Sequence, residues 1–167
     1  MITIDAAQAS TSELIPNEIT ADAIAAFDIG DHIPFLLNRV NVATLGLFED
    51  RLKEEGLVLG AWRILAVLFK AGPRRVREVL HLTGIEPPTL SRLLADLEKR
   101  QLVVRAQSDD DARGILVQPT AEGLALAERI APHALHAEIE LLRGFTVDER
   151  NFLRQLLKRM QTNLLSS

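Results

Sequence analysis

Arg74, Arg75 and Arg77 crowd three guanidinium groups into four positions, and Thr89, Ser91 and Arg92 set two hydroxyls beside another. A guanidinium is a planar fork of donors that fits a phosphate or a guanine edge with two parallel hydrogen bonds. Hydroxyls bond several bases or hold a phosphate. These residue types suit duplex DNA, although the same arginines could simply form a solvated basic helix start. A second chemistry is hinted at by His133 and His136, three residues apart, with Glu140 one turn further. That spacing can align three metal ligands on one helical face, and it equally describes an ordinary polar face. Catalysis finds little support. No two glycines lie closer than four residues apart, so no dinucleotide fingerprint occurs. The pair four apart, Gly56 and Gly60, has Val58 rather than Ser between them, so there is no nucleophile elbow, and no Walker A loop is present. The isolated Ser and His residues suggest no triad. With no Cys, thiolate chemistry, disulfides and cysteine zinc sites are excluded. We therefore expect a non-enzyme without a cofactor.

The elements that position these residues are readable from hydrophobic periodicity. Ile33, Leu37, Val40, Leu45, Phe48 and Leu52 recur at helical steps, which predicts one long amphipathic helix ending near Gly56. A second helix is expected from about Gly60 to Ala71, stopped by Gly72-Pro73. A short helix from about Arg75 to Leu82 should turn Val76, Val79 and Leu80 inward and end at Gly84. Pro87 and Pro88 then open a helix to about Arg100 with Leu90, Leu93, Leu94 and Leu97 buried, because proline is tolerated where helical amides have no partner anyway. Two short helices around a glycine-bearing turn make a helix-turn-helix. Leu102 to Arg105 and Ile115 to Val117 flank an acidic turn and predict a hairpin, hence a wing. Thr120 should cap a helix to about Arg143, with Leu124, Ala127, Ile130, Ala131, Ala134 and Leu135 on its apolar side. Gly144 should break it, and Thr146-Val147-Asp148-Glu149 is a capping box for a last helix with Leu153, Leu156, Leu157, Met160 and Leu164 on one face. The predicted fold class is mainly α (α+β).

The net charge of −4 looks unsuited to a DNA partner, but it is unevenly spread. Asp5, Glu13, Glu18, Asp22, Asp28 and Asp31 all precede the first basic residue, Arg39, leaving 17 acidic residues against all 19 Lys and Arg. DNA binding needs a local basic surface rather than a basic total. Residues 1–30 read as an acidic arm, with a short helix around Ala21 to Phe27 or no order at all. The first residues lack the pattern of a secretory signal, and Leu57 to Phe69 is too short to span a bilayer. A soluble, cytoplasmic protein without membrane contact is expected.

The segment Asp111-Ala112-Arg113-Gly114-Ile115-Leu116-Val117-Gln118-Pro119-Thr120 is similar to the wing signature of the MarR family, matching it at Asp111, Arg113, Val117, Thr120 and, further on, Gly123. Pro119 replaces the usual Leu. Thr89 to Glu98 resembles that family's recognition helix, and Leu102 to Arg105 the strand that follows. Gln101 stands where a Gly is usual. The resemblance covers about residues 32–165 in element order and 57–123 in motif detail; the arm lies outside it.

This resemblance implies a winged helix-turn-helix with long N- and C-terminal dimerisation helices: residues 31–58 and 120–167 for pairing, 59–119 for DNA. It implies a homodimer on a pseudo-palindromic operator, its half-sites roughly 34–36 Å apart. Arg74, Arg75, Arg77, Pro88, Thr89, Ser91, Arg92, Arg105, Asp111 and Arg113 are the expected DNA-binding residues. Arg113 at the wing base would enter the minor groove, or else form a surface ion pair with Asp111. MarR-like proteins often bind aromatic acids or phenolic compounds, so an aromatic acid, phenolic compound or thioester is the expected effector. His32, Phe35, Arg39, Trp62 and Arg63 are its candidate contacts, with Phe35 and Trp62 equally suited to a core. A repressor released by its ligand is the leading expectation. A zinc-responsive regulator and a winged-helix protein-interaction module without DNA are the alternatives.

Overall fold

The computed structural model describes residues 18–108 and 111–165, with side chains for 18–107 and 115–164. The chain divides into two compact units, Met1–Val40 and Asn41–Ser167. In the first unit, α1 (Ala21–Ala25) is opened by Thr20, whose hydroxyl accepts from the Ala23 amide at 3.1 Å. Helix α2 (Ile33–Gly46) starts there and crosses the unit boundary.

The long helix expected from Ile33 to Gly56 is two helices. After α2 the amides of Leu47 and Phe48 bond the carbonyls of Thr44 and Leu45, three residues back, and α3 (Glu49–Glu54) begins afresh. The break follows Gly46, a poor helix former. It turns Phe48 and Leu52 into the core while Leu47 stays exposed. The expected inward residues Ile33, Leu37 and Val40 are exposed within the single chain.

The second unit continues with α4 (Leu59–Ala71), β1 (Arg74–Arg75), α5 (Val76–Thr83), α6 (Pro87–Lys99), β2 (Val103–Ser108), β3 (Asp111–Pro119), α7 (Ala121–Leu141) and α8 (Val147–Leu165). The strands form one antiparallel sheet in the order β1-β3-β2. The hairpin register runs from Val103↔Pro119 to Gln107↔Ile115, and shifts between Gln107 and Ser108. Helix α4 is the centre of the core: Ala61, Ile64, Leu65 and Leu68 are almost fully buried, packed with Val79, Leu90, Leu94, Leu97, Val103, Val117 and Ile130. At roughly 1.5–3 kcal/mol per buried aliphatic side chain, this cluster is what holds the winged head together.

One further expectation is refined and one corrected. Arg75 does open the short helix, as its N-cap, but Arg74 and Arg75 also form a two-residue strand opposite Val117 and Leu116 of β3, which the sequence did not announce. On α7 the buried residues are Leu126, Ala127, Ile130 and Ala137, whereas Leu124 and Leu135 are exposed. The inward stripe of α7 is thus rotated from the one read off the sequence, because the sequence does not say which of two apolar faces meets α4.

Candidate nucleic-acid interface

Helices α5 and α6 are joined by a turn that the sequence dictates. Gly84 takes a left-handed φ of 63° and its amide donates to the Leu80 carbonyl at 3.0 Å. The Thr83 hydroxyl donates back to the Val79 carbonyl at 2.7 Å and accepts from the Ile85 amide at 3.4 Å. Ile85 is buried and anchors the turn. Glu86 is extended, and Pro87 and Pro88 fill the first helical turn of α6. Leu90, Leu93, Leu94 and Leu97 are each 8% exposed or less. The intervening Pro88, Thr89, Ser91 and Arg92 are exposed. One helix therefore carries an apolar stripe that fastens it and a polar edge that is free to meet base edges.

The basic residues cluster near this head on different supports. Arg74 lies in β1 and donates to the Pro73 carbonyl at 2.7 Å. The Arg75 amide donates to the Glu78 carboxylate at 2.8 Å, half of a capping box that starts α5. Arg74 and Arg75 are partly exposed, and Arg77 is exposed on α5. Arg105 of β2 is engaged within the chain: both its Nε, at 2.9 Å, and a terminal amine donate to the same oxygen of Glu98. This bond lowers the Glu98 carboxyl below its ordinary range and raises the Arg105 guanidinium above its own. Glu98 thereby ties the C-terminal turn of α6 to the wing. Asp111 and Arg113 fall in β3, but their side chains lie outside those described.

A scaffold missed in the sequence sits behind the head. Gly56 and Gln101 end α3 and α6 in the same way. Each has a left-handed φ, 64° and 58°, and each passes one amide back to the helix (Gly56 to Lys53 at 2.9 Å, Gln101 to Glu98 at 2.9 Å). The following amides of Leu57 and Leu102 reach Leu52 and Leu97, completing two Schellman motifs. Gln101 thus keeps the backbone shape of the glycine it replaces. Arg100 joins the two ends by donating to the Gly56 carbonyl at 2.7 Å and the Glu55 carbonyl at 2.9 Å. A basic residue in the last turn of a helix was the available signal; its target 44 positions away was not. The Glu55 carboxylate accepts from Arg129, which chiefly lowers its pKa, and also pairs with Arg51 at 2.8 Å. Thr120 caps α7 by accepting from the Gly123 amide at 3.0 Å and donates to the Gln101 carbonyl at 2.7 Å. At Gly123 a Cβ would stand 2.0 Å from the Leu102 carbonyl oxygen, so the wing signature's glycine marks a contact between two backbones.

The candidate ligand residues fall in both units. Trp62, 8% exposed, and the exposed Arg63 line a cleft of about 200 Å³ with Asn41, Thr44, Leu45, Phe48 and Leu59. In the first unit Arg39 stands over the Phe35 ring, 5.9 Å from its centroid, and the His32 and Phe27 rings form a T-shaped pair with centroids 5.2 Å apart. The suggested metal triad is not assembled: Glu140 pairs with Arg143, His133 and His136 are exposed, and no group of three or more metal-ligating residues converges among the described residues. No helix among those residues is long and apolar enough to cross a membrane.

Comparison with known proteins agrees with this geometry. Residues 55–114, from the end of α3 into the wing, match the model of the MarR family. An uncharacterised HTH-type transcriptional regulator of Bacillus subtilis, YwaE, is 30% identical across 77% of this chain and 81% of its own length. A MarR-family transcriptional regulator from Silicibacter pomeroyi superposes with a TM-score of 0.75 at 27% identity, over 83% of this chain and 94% of that one. BpsR of Bordetella bronchiseptica, whose DNA binding is regulated by 6-hydroxynicotinic acid, superposes with a TM-score of 0.68 at 25% identity, over 77% and 98%. Buried leucines behind a polar helix edge, a wing tied to that helix, and relatives of matching length lead to one assignment: the chain belongs to the MarR family of winged helix-turn-helix transcriptional regulators.

Proposed function

We propose that two copies of this chain pair through residues 31–58 and 120–167 and present two 59–119 heads to a pseudo-palindromic operator, repressing transcription until a small effector binds. The observation that carries this reading is the division of α6 into buried leucines and an exposed edge of Pro88, Thr89, Ser91 and Arg92. A helix of this kind fits the major groove, with its N-terminal residues on base edges. Arg74, Arg75 and Arg77 hold phosphates beside it. Arg113 enters the minor groove from the wing base, with Asp111 orienting it, and Arg105 reaches phosphate from β2 while Glu98 steadies it. The exposed apolar residues of α2 and α8 support the pairing, since an isolated chain leaves them in water.

The effector is an aromatic or otherwise apolar acid. The cleft beside Trp62 supplies an apolar wall, and Arg63 at its rim supplies a cation for a carboxylate. His32, Phe35 and Arg39 are the further contacts proposed for it. The regulation of BpsR by 6-hydroxynicotinic acid supports this ligand class.

The test is fluorescence anisotropy on the chain's own flanking intergenic DNA, at several salt concentrations, with aromatic acids and their thioesters added. Specific, strongly salt-dependent binding that a ligand reverses is expected. Absence of specific binding at low salt would overturn the DNA reading, and binding that no acid or thioester weakens would overturn the effector class. Trp62 is the only Trp in the chain, so its emission reports the cleft directly.

A further inference from the structure

The two ends of the chain carry opposite charge. Residues 1–38 hold six carboxylates and no Lys or Arg; residues 150–167 hold four cations and no carboxylate. In the arm and at the residue just after it, Glu18, Asp22, Asp28 and Asp31 are all exposed, and none forms an ion pair among the described residues. On α8, Arg150 pairs with Glu138, but Arg154, Lys158 and Arg159 are exposed and without an acidic partner among those residues. Both segments also leave large apolar side chains in water. Ile24 and Phe27 are 66% and 58% exposed in the arm, and Phe152 and Leu164 are 61% and 80% exposed on α8. Apolar surface of this kind, bordered by charge, marks a place where something docks.

We propose that the acidic arm of one copy lies along α8 of a second copy, its carboxylates facing Arg154, Lys158 and Arg159 and its apolar residues covering those of the helix. This rests on the homodimer reading above. Two observations select a second copy as the occupant. The charges are complementary in sign and similar in number, and opposite patches steer and register an encounter. The arm is also continuous with α2, whose exposed Ile33, Leu37 and Val40 belong to the pairing region, so a partner seated on α2 lies next to the arm. The arm then acts as a strap that strengthens a dimer and makes its stability sensitive to salt.

The test uses full-length chains with charge reversals at either end: Glu18→Lys with Asp31→Lys in one, and Lys158→Glu with Arg159→Glu in the other. Each variant alone opposes like charges in its homodimer, so each should dissociate about tenfold more readily at low salt by sedimentation, several exposed pairs of modest strength being lost together. Mixed in equal amounts, the two variants restore both charge pairings, but only across chains. A heterodimer as tight as the unaltered dimer is the expected result. If mixing restores nothing, the arm does not cross to its partner and the proposal falls. If both homodimers keep the unaltered affinity, the arm plays no part in pairing, while the dimer itself stands. If the unaltered chain sediments as a monomer at concentrations that bind operator, the dimer reading falls and the strap with it. If the α8 reversal changes only the salt dependence of DNA binding, that surface belongs to DNA and the proposal is overturned.

Discussion

Gln101 occupies a left-handed conformation that costs a residue with a Cβ roughly 1–2 kcal/mol. Gln101→Gly removes that strain and adds unfolded-state entropy of about 0.5–1 kcal/mol, so a net gain of up to about 1 kcal/mol is expected in urea denaturation. Gly123→Ala should behave in the opposite way. Its Cβ would collide with a carbonyl oxygen that cannot rotate away, and a loss of about 3 kcal/mol or more is expected. Gly60→Ala is the control, because the one close approach of its Cβ, 2.6 Å, is to a terminal methyl of Leu93, which can move, and its other neighbours stand at ordinary contact distance. Arg92→Ala should leave the unfolding curve unchanged and weaken operator binding by about 1–3 kcal/mol, read by mobility shift. Arg113→Ala should likewise fold normally and bind operator poorly; unchanged affinity at physiological salt would remove it from the interface. These residues differ in how far the sequence disclosed them. The role of Gly123 was legible only as a signature match, since Leu102 approaches it through the fold. The exposed edge of α6 was legible outright, because leucines at helical spacing fix which residues must face away.

Among the elements, α6 was the most legible and β1 the least. Two prolines set the start of α6, whereas β1 is two residues long and exists only because β3 arrives some forty positions later to pair with it. The break between α2 and α3 was hidden for the same reason: periodicity continues through it, and only the core decides that Phe48 turns inward. Ion pairs between elements make a pH prediction. Glu98 joins α6 to β2, Glu55 joins α3 to α7, and Glu149 caps α8 by accepting from the Thr146 amide at 2.7 Å. Their hydrogen bonds lower all three carboxyls in the folded chain. A lowered carboxyl contributes stability above its unfolded value, about 4.5, and loses it as pH falls through the folded value. Acid titration should therefore destabilise the chain below about pH 4.5, and Glu98→Gln should make that decline shallower. Thr146→Ala should cost about 1 kcal/mol by removing the cap of α8, with loss of helical circular dichroism in dilute protein as the readout.

The whole molecule is expected to respond to its effector in two measurable ways. A ligand at a hundred times its Kd raises stability by about 2.7 kcal/mol if it binds only the folded chain, and it should quench or shift Trp62 emission over the same range. Trp62→Phe, which keeps an aromatic wall, should abolish the optical signal while leaving most of the thermal shift. The cleft was legible only through Trp62 and Arg63, neighbours on one helix; His32, Phe35 and Arg39 belong to another unit of the chain. One small feature governs how such a signal can reach DNA. Arg74 and Arg75 are stitched to β3, the strand that also bears Arg113, and they lead without interruption into α5. The arginines proposed to hold phosphate, the first helix of the motif and the root of the strand that carries Arg113 are therefore joined into one lever. The seam holds β1 to Leu116 and Val117 at the root of the wing, so on the proposed reading release of an operator is expected to swing helix and wing root together, changing their distance from a twin and putting both grooves out of step at once.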